Sequence, residues 1–204
     1  MRRRIGWTAA ALVLRAAIGS AQSANEPLPR FVADVQGVSA GLPSAAGWTP
    51  SLPPNTSVPT RGLGLQGSAH VLFGRLGAGA TVLFARGETT PVSGTPAVKT
   101  SVRALAPHVS LNFGHRLGWS YVSTGYGGAQ VNSESAPSGA TQSASAHSGW
   151  VSALNFGGGA RWFLREHFGV GFDLRWHRLS SREVEGGTAP SQTMFVLGVG
   201  VSVQ

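Results

Sequence analysis

The residues best equipped for chemistry in this 204-residue chain form an alternating run near its end: Asp173, Arg175 and His177, each separated by one apolar residue. A spacing of two puts all three on one face of a strand, where a carboxylate, a guanidinium and an imidazole can share charge-assisted hydrogen bonds. The same parity adds Asp34 with Gln36, Gln66 with His70, His108 with Asn112, and Asn155 with Arg161. Two acids and two arginines on one inner surface would neutralise one another, because a buried charge left unpaired is costly. The expected role of Asp34, Gln66, His70, His108, Asn155, Arg161, Asp173, Arg175 and His177 is therefore a structural polar network.

Sharper chemistries need more than these residues supply. The chain holds 6 histidines and no cysteine, which removes thiolate catalysis, disulfides and zinc-thiolate sites together. His70 and His108 could meet only across strands, and a metal site needs a counted ligand set that is not visible. The adjacent pair His147 and Ser148 lies in or beside a Ser/Ala-rich stretch with no acid placed to orient the imidazole. Gly157-Gly158-Gly159 is followed by no Lys or Ser/Thr, so it is not a phosphate loop; small residues there let a neighbouring strand's side chain pack close. No catalytic residue, metal or cofactor is expected.

The elements that must carry these residues are strands, since apolar positions recur every second residue. Phe195, Leu197, Val199, Val201 and Val203 alternate with small residues, and Phe168, Val170, Phe172, Leu174 and Trp176 alternate with Gly169, Gly171 and the Asp173 run. Similar patterns surround Trp150 to Trp162 and Leu65 to Phe73, and weaker ones occupy about 76–87, 98–113, 117–131 and 31–38. Eight strands result. Short links near Gly74-Arg75, Gly114-His115-Arg116 and Arg165-Glu166-His167 alternate with long ones at about 39–61, 88–97, 132–147 and 180–191. Such asymmetry is that of a membrane barrel, with tight turns on one side and long loops on the other. The loops are rich in Pro, Ser, Thr and Gly, and read as solvated and without an apolar face.

Residues 1–21 read as a secretory signal, with Arg2-Arg3-Arg4, an apolar stretch from Trp7 to Leu14, and Gly19-Ser20-Ala21 before a cut between Ala21 and Ala24. Removing its four arginines leaves 12 basic residues against 8 acidic ones, a net +4 spread over single positions. That distribution lacks the footprint of a nucleic-acid binder. Charged residues make up only 12% of the chain and glycine contributes 29 positions. With the bulky face turned inward, such a barrel would show water a mostly uncharged, glycine-rich surface. With it turned outward to lipid, the polar face shares the lumen and every backbone group pairs around the closed sheet. Trp119, Tyr121, Trp150, Trp162 and Trp176 would then form aromatic girdles at the membrane interfaces.

At this point the chain resembles the small bacterial outer-membrane β-barrels of the OmpA, OmpX and OmpW kind. The resemblance is strongest in Asn155-Phe156-Gly157-Gly158-Gly159-Ala160-Arg161-Trp162-Phe163 and Phe168-Gly169-Val170-Gly171-Phe172-Asp173-Leu174-Arg175, which look like a late hairpin of such barrels. It implies an all-β, eight-stranded antiparallel up-and-down transmembrane barrel over residues 30–204, exported to the Gram-negative outer membrane. Implied partners are outer-membrane lipid and lipopolysaccharide, and the barrel-assembly machinery, which reads an alternating C-terminal strand. The expected function is a structural or surface-exposed barrel without catalysis, its lumen plugged by side chains. The alternatives are a narrow channel, a barrel binding a small ligand or an adhesion partner through its loops, and a lipid A-modifying enzyme of the Ser/His/acid kind.

Overall fold

Strand pairing closes the chain on itself. A computed structural model describes residues 27–45, 47–49, 56–90, 96–135, 144–184 and 187–204; residues 1–26, with the expected signal, lie outside them. The strands are β1 (Phe31–Gly41), β2 (Arg61–Phe73), β3 (Leu76–Glu88), β4 (Val98–His115), β5 (Gly118–Ser135), β6 (Ala144–Arg165), β7 (Phe168–Leu179), β8 (Arg182–Val184), β9 (Gly187–Ala189) and β10 (Gln192–Val203). Eight of them form a closed antiparallel barrel in the order β1-β10-β7-β6-β5-β4-β3-β2, and β8 and β9 form a separate hairpin. Closure runs from Ala33 opposite Val203 to Ala40 opposite Val196, so the short first strand has a full complement of neighbours. No sheet edge is left in the barrel, which removes the unpaired N–H and C=O groups that hydrocarbon would not tolerate.

Alternation decides which side chain faces where. In β3 the outward row is Leu76, Ala78, Ala80, Val82 and Phe84, and in β10 it is Phe195, Leu197, Val199, Val201 and Val203. Large apolar side chains are exposed around the wall, with Leu63 at 75% and Phe73 at 72%. An apolar belt of this extent is far beyond the patches a water-soluble monomer shows, and its natural solvent is a bilayer.

Three features depart from the reading of the sequence. Trp119 and Tyr121 do not belong to an aromatic girdle: they point into the barrel, at 3% and 4% exposure, while Ser120, Val122 and Tyr126 take the outer face of β5. Strand parity turns both inward, and the register with β6 sets Tyr121 opposite Gly159, where a side chain would meet the Tyr121 hydroxyl. Trp150 and Trp176 do face outward.

Second, the stretches 132–147 and 180–191 are not wholly loop, the latter holding the paired strands β8 and β9. β5 runs on to Ser135 and β6 begins at Ala144, pairing as a ribbon from Asn132 opposite His147 to Ser135 opposite Ala144. Ladder hydrogen bonds come from the backbone, so Ser- and Ala-rich segments without an apolar face can still pair once the barrel brings them together. Third, the first long loop carries apolar anchors. Leu42 and Trp48 are buried at 6% and 1%, and the Trp48 indole Nε1 donates to Pro190 O across the barrel mouth at 2.8 Å.

Candidate functional site

The lumen is built in three layers. At the loop end, inward residues of the strands, among them Val38, Leu83, Val102, Val131, Leu179 and Met194, form an apolar cluster closed from above by Leu42, Trp48 and Ala189. At the turn end Val32, Leu72, Trp119 and Phe163 form a second cluster against Leu28. The Trp119 and Phe163 rings stack at 5.1 Å and 10°. The nine residues assigned to the polar network, Asp34, Gln66, His70, His108, Asn155, Arg161, Asp173, Arg175 and His177, are each 5% exposed or less. Most of them are joined by hydrogen bonds, in two linked groups.

The first group is centred on Asp34. Arg161 grips its carboxylate with both Nε (2.8 Å) and Nη2 (2.7 Å), and the Ser68 and Ser202 hydroxyls each donate to it at 2.7 Å. Four donors satisfy one carboxylate, which is the arrangement a buried anion requires. The Arg161 guanidinium also lies 4.1 Å from the centre of the Tyr121 ring, a cation–π contact away from water.

From the same guanidinium a chain of contacts leaves. His70 Nε2 lies 3.1 Å from Arg161 Nη2, 3.1 Å from Ser68 Oγ and 3.5 Å from Asp34 Oδ2. His70 Nδ1 lies 3.1 Å from His108 Nε2, and His108 Nδ1 lies 3.3 Å from Thr81 Oγ1. The two imidazoles weighed as metal ligands thus bind each other. Among the described residues no group of three or more His, Cys, Asp or Glu side chains is placed to hold a metal ion.

The second group is centred on Asp173. Arg175, two residues along the same strand, donates from Nε (3.1 Å) and Nη2 (3.0 Å), Tyr121 donates its hydroxyl at 2.6 Å, and Gln66 Nε2 donates at 3.3 Å. Gln66 Nε2 also lies 3.2 Å from Gln36 Oε1, and Arg175 Nη1 donates to Asn155 Oδ1 at 3.0 Å. Tyr121 connects the two groups, with its ring on Arg161 and its hydroxyl on Asp173. The glycine run makes this possible: a side chain at Gly157 would meet Arg175, and one at Gly159 would meet the Tyr121 hydroxyl and the β7 backbone. Asn112 stands apart from both groups and donates to Ser110 and to Arg75 O. His177 borders the polar layer without a hydrogen bond to it among the described residues.

Sequence reasoning missed Tyr121 as part of this layer, and it did not include Ser68, Ser202 or Thr81 in the network. The signal for Tyr121 was Gly159, since a glycine on the inner face predicts a bulky neighbour there. The pair His147 and Ser148 has a local explanation. An extra residue in β6 makes a bulge opposite Gln130 to Asn132; Ser148 Oγ accepts from Val131 N at 2.8 Å, and Gly149 takes φ of 62°. His147 Nδ1 lies 3.2 Å from Asn132 Oδ1, an amide oxygen, and not from a carboxylate. That geometry caps a bulge; it is not a triad.

No protein-family model matches the chain, and no curated relative does. Among solved structures it is similar to Neisserial surface protein A, at 11% identity and a TM-score of 0.57, covering 86% of this chain and 97% of that one. It is also similar to Ail, the attachment invasion locus protein of Yersinia pestis, solved in complex with the heparin analogue sucrose octasulfate, at 10% identity and a TM-score of 0.52, covering 84% and 97%. The fold is thus that of the small eight-stranded barrels of bacterial outer membranes.

Proposed function

We propose that the protein is a structural, surface-displayed outer-membrane barrel that neither catalyses a reaction nor conducts solutes. The observation that supports this reading is the three-layered lumen, in which a hydrogen-bonded ionic layer lies between two apolar plugs. A conducting path would have to break the Asp34–Arg161 and Asp173–Arg175 pairs and also displace Trp48 and Trp119. An eight-stranded barrel has an interior only wide enough for side chains to fill. The long loops, the β5–β6 ribbon and the β8–β9 hairpin are then the parts that meet the exterior.

Planar-bilayer recording on the folded protein tests this. The expected result is a flat baseline for the wild type; discrete, voltage-reproducible channels would overturn the closed reading in favour of a narrow pore. Lipid A from cells with and without the protein is expected to have identical masses, and a shifted species that depends on Ser148 would reinstate an enzyme.

A further inference from the structure

The outer wall carries a charge pattern that the plugged lumen does not explain. Above the apolar belt, the first hydrophilic outward residue is Ser39 on β1, Gln130 on β5, Ser152 on β6 and Thr193 on β10, all neutral. On β2, β3 and β4, three adjacent strands, it is Arg61, Arg86 and Arg103. From Leu76 to Arg86 the chain climbs ten residues, about 25 Å along the axis for a strand tilted by roughly 40°, which is the height of the apolar band of such barrels. The three arginines therefore lie at the level of the headgroups on the long-loop side.

Register makes them one cluster. Arg86 is opposite Ser101 and Phe84 is opposite Arg103, so Arg86 and Arg103 are diagonal neighbours; Lys99 is opposite Glu88, and Arg61 lies two residues before Leu63, which faces Arg86. Arg103 sets its guanidinium 5.7 Å from the centre of the Phe84 ring, at the edge of the belt. Two acids lie among them: Glu88, 3.7 Å from Arg86 Nη2 and 3.8 Å from Lys99 Nζ, and Glu134 of β5, opposite Lys99 on its other side. The Arg86 and Lys99 side chains are 50% and 43% exposed. Four cations against two acids, held on a rigid sheet beside hydrocarbon, leave a net positive charge where a bilayer presents its headgroups, and Arg61 and Arg103 have no ion pair among the described residues.

Resting on the outer-membrane reading above, we propose that Arg61, Arg86, Lys99 and Arg103 form a seat for the phosphate groups of outer-leaflet lipid. Guanidinium groups match phosphate oxygens two at a time, and three arginines with one lysine suit a headgroup bearing more than one phosphate. The apolar rows directly beneath, Leu63, Leu65, Val82, Phe84 and Leu105, are all exposed and would lie along the acyl chains of the same molecule. The other cation at this height, Arg178 on β7, instead donates to Ser191 Oγ at 3.4 Å, away from the cluster.

The test uses the folded chain in phosphatidylcholine nanodiscs containing diphosphoryl lipid A, with the retained lipid counted by native mass spectrometry. At about a fivefold loss per cation removed near an anionic surface, Arg86→Ser with Arg103→Ser is expected to weaken retention roughly thirtyfold. The control pair Arg75→Ser and Arg116→Ser, at the opposite rim, is expected to retain lipid A as the wild type does. Retention of dephosphorylated lipid A equal to that of the diphosphoryl form would overturn the proposal, as would equal losses from both variants. Displacement of the lipid by millimolar inorganic phosphate would assign the cluster to free anions and also overturn it. Heat-modifiable gel migration, measured in parallel, separates the two levels of failure. A variant that still shifts but binds no less lipid defeats the seat alone, whereas a wild type that is folded and monomeric in buffer without detergent defeats the membrane barrel itself.

Discussion

The polar layer of the lumen is arranged around two carboxylates, Asp34 held by donors from other strands and Asp173 by Arg175 of its own strand together with Tyr121 and Gln66. Asp34 on β1 is held by Arg161 on β6, Ser68 on β2 and Ser202 on β10, so one acid fastens the closing seam of the barrel to the strand opposite. Removing one partner of such a pair leaves the other charge buried without compensation, which costs about 3–5 kcal/mol, more than the pair itself contributes. Arg161→Ala is therefore expected to lower the unfolding free energy by about 3–5 kcal/mol, measured by urea titration of the gel-shifted band in detergent. Asp34→Ala combined with Arg161→Ala should lose less than the sum of the single changes, because the second substitution removes the charge stranded by the first. Additive losses would mean that the two side chains do not share one interaction. Parity alone placed the nine polar residues on inner faces, since a strand offers only two faces; it did not say that Tyr121 would bridge the two groups.

At the level of elements, the alternation of short and long connections was legible throughout. Turns fall at Gly74-Arg75, Arg116-Leu117 and Glu166-His167, and the long connections lie on the other side. What was not legible is how far strands continue past the barrel. The β5–β6 ribbon depends on a bulge whose unpaired N–H at Val131 is answered by Ser148 Oγ at 2.8 Å. Ser148→Ala should destabilise the ribbon by about 1 kcal/mol, the worth of one hydrogen bond, without changing barrel stability. Faster amide exchange at Val131, with the core strands unchanged, is the expected readout; a global loss of protection would mean that the ribbon is integral to the barrel. Similarly, the first long loop is rich in turn residues, yet Arg182 donates to Gly47 O (2.8 Å) and to His147 O (2.9 Å), tying that loop to the β8–β9 hairpin and to the ribbon. These ties join segments more than thirty residues apart, which no local pattern can reveal.

For the whole molecule, the decisive property is that grease faces both ways. Outside, the apolar belt needs hydrocarbon; inside, two apolar plugs exclude water from either end of the ionic layer. The outward orientation makes a direct prediction. Val82→Arg, at the middle of the β3 outer row, should cost about 2–4 kcal/mol in a bilayer, whereas the same change near the rim should cost about 0–1 kcal/mol. Equal costs at both heights, measured by reversible folding into lipid vesicles, would contradict a membrane-embedded wall. Hydrophobic alternation with a period of two, the strand count and the order of turns and loops were determined by the sequence alone, because each is a local property of neighbouring residues and of the pleat. The inward place of Trp119 and Tyr121, the closure of the mouth by Leu42 and Trp48, and the partners of each charge were decided only by the tertiary structure. Those depend on strand register around a closed cylinder, where a residue's neighbours come from strands distant in the chain and the space beside a glycine is filled by whichever side chain the shear brings to it.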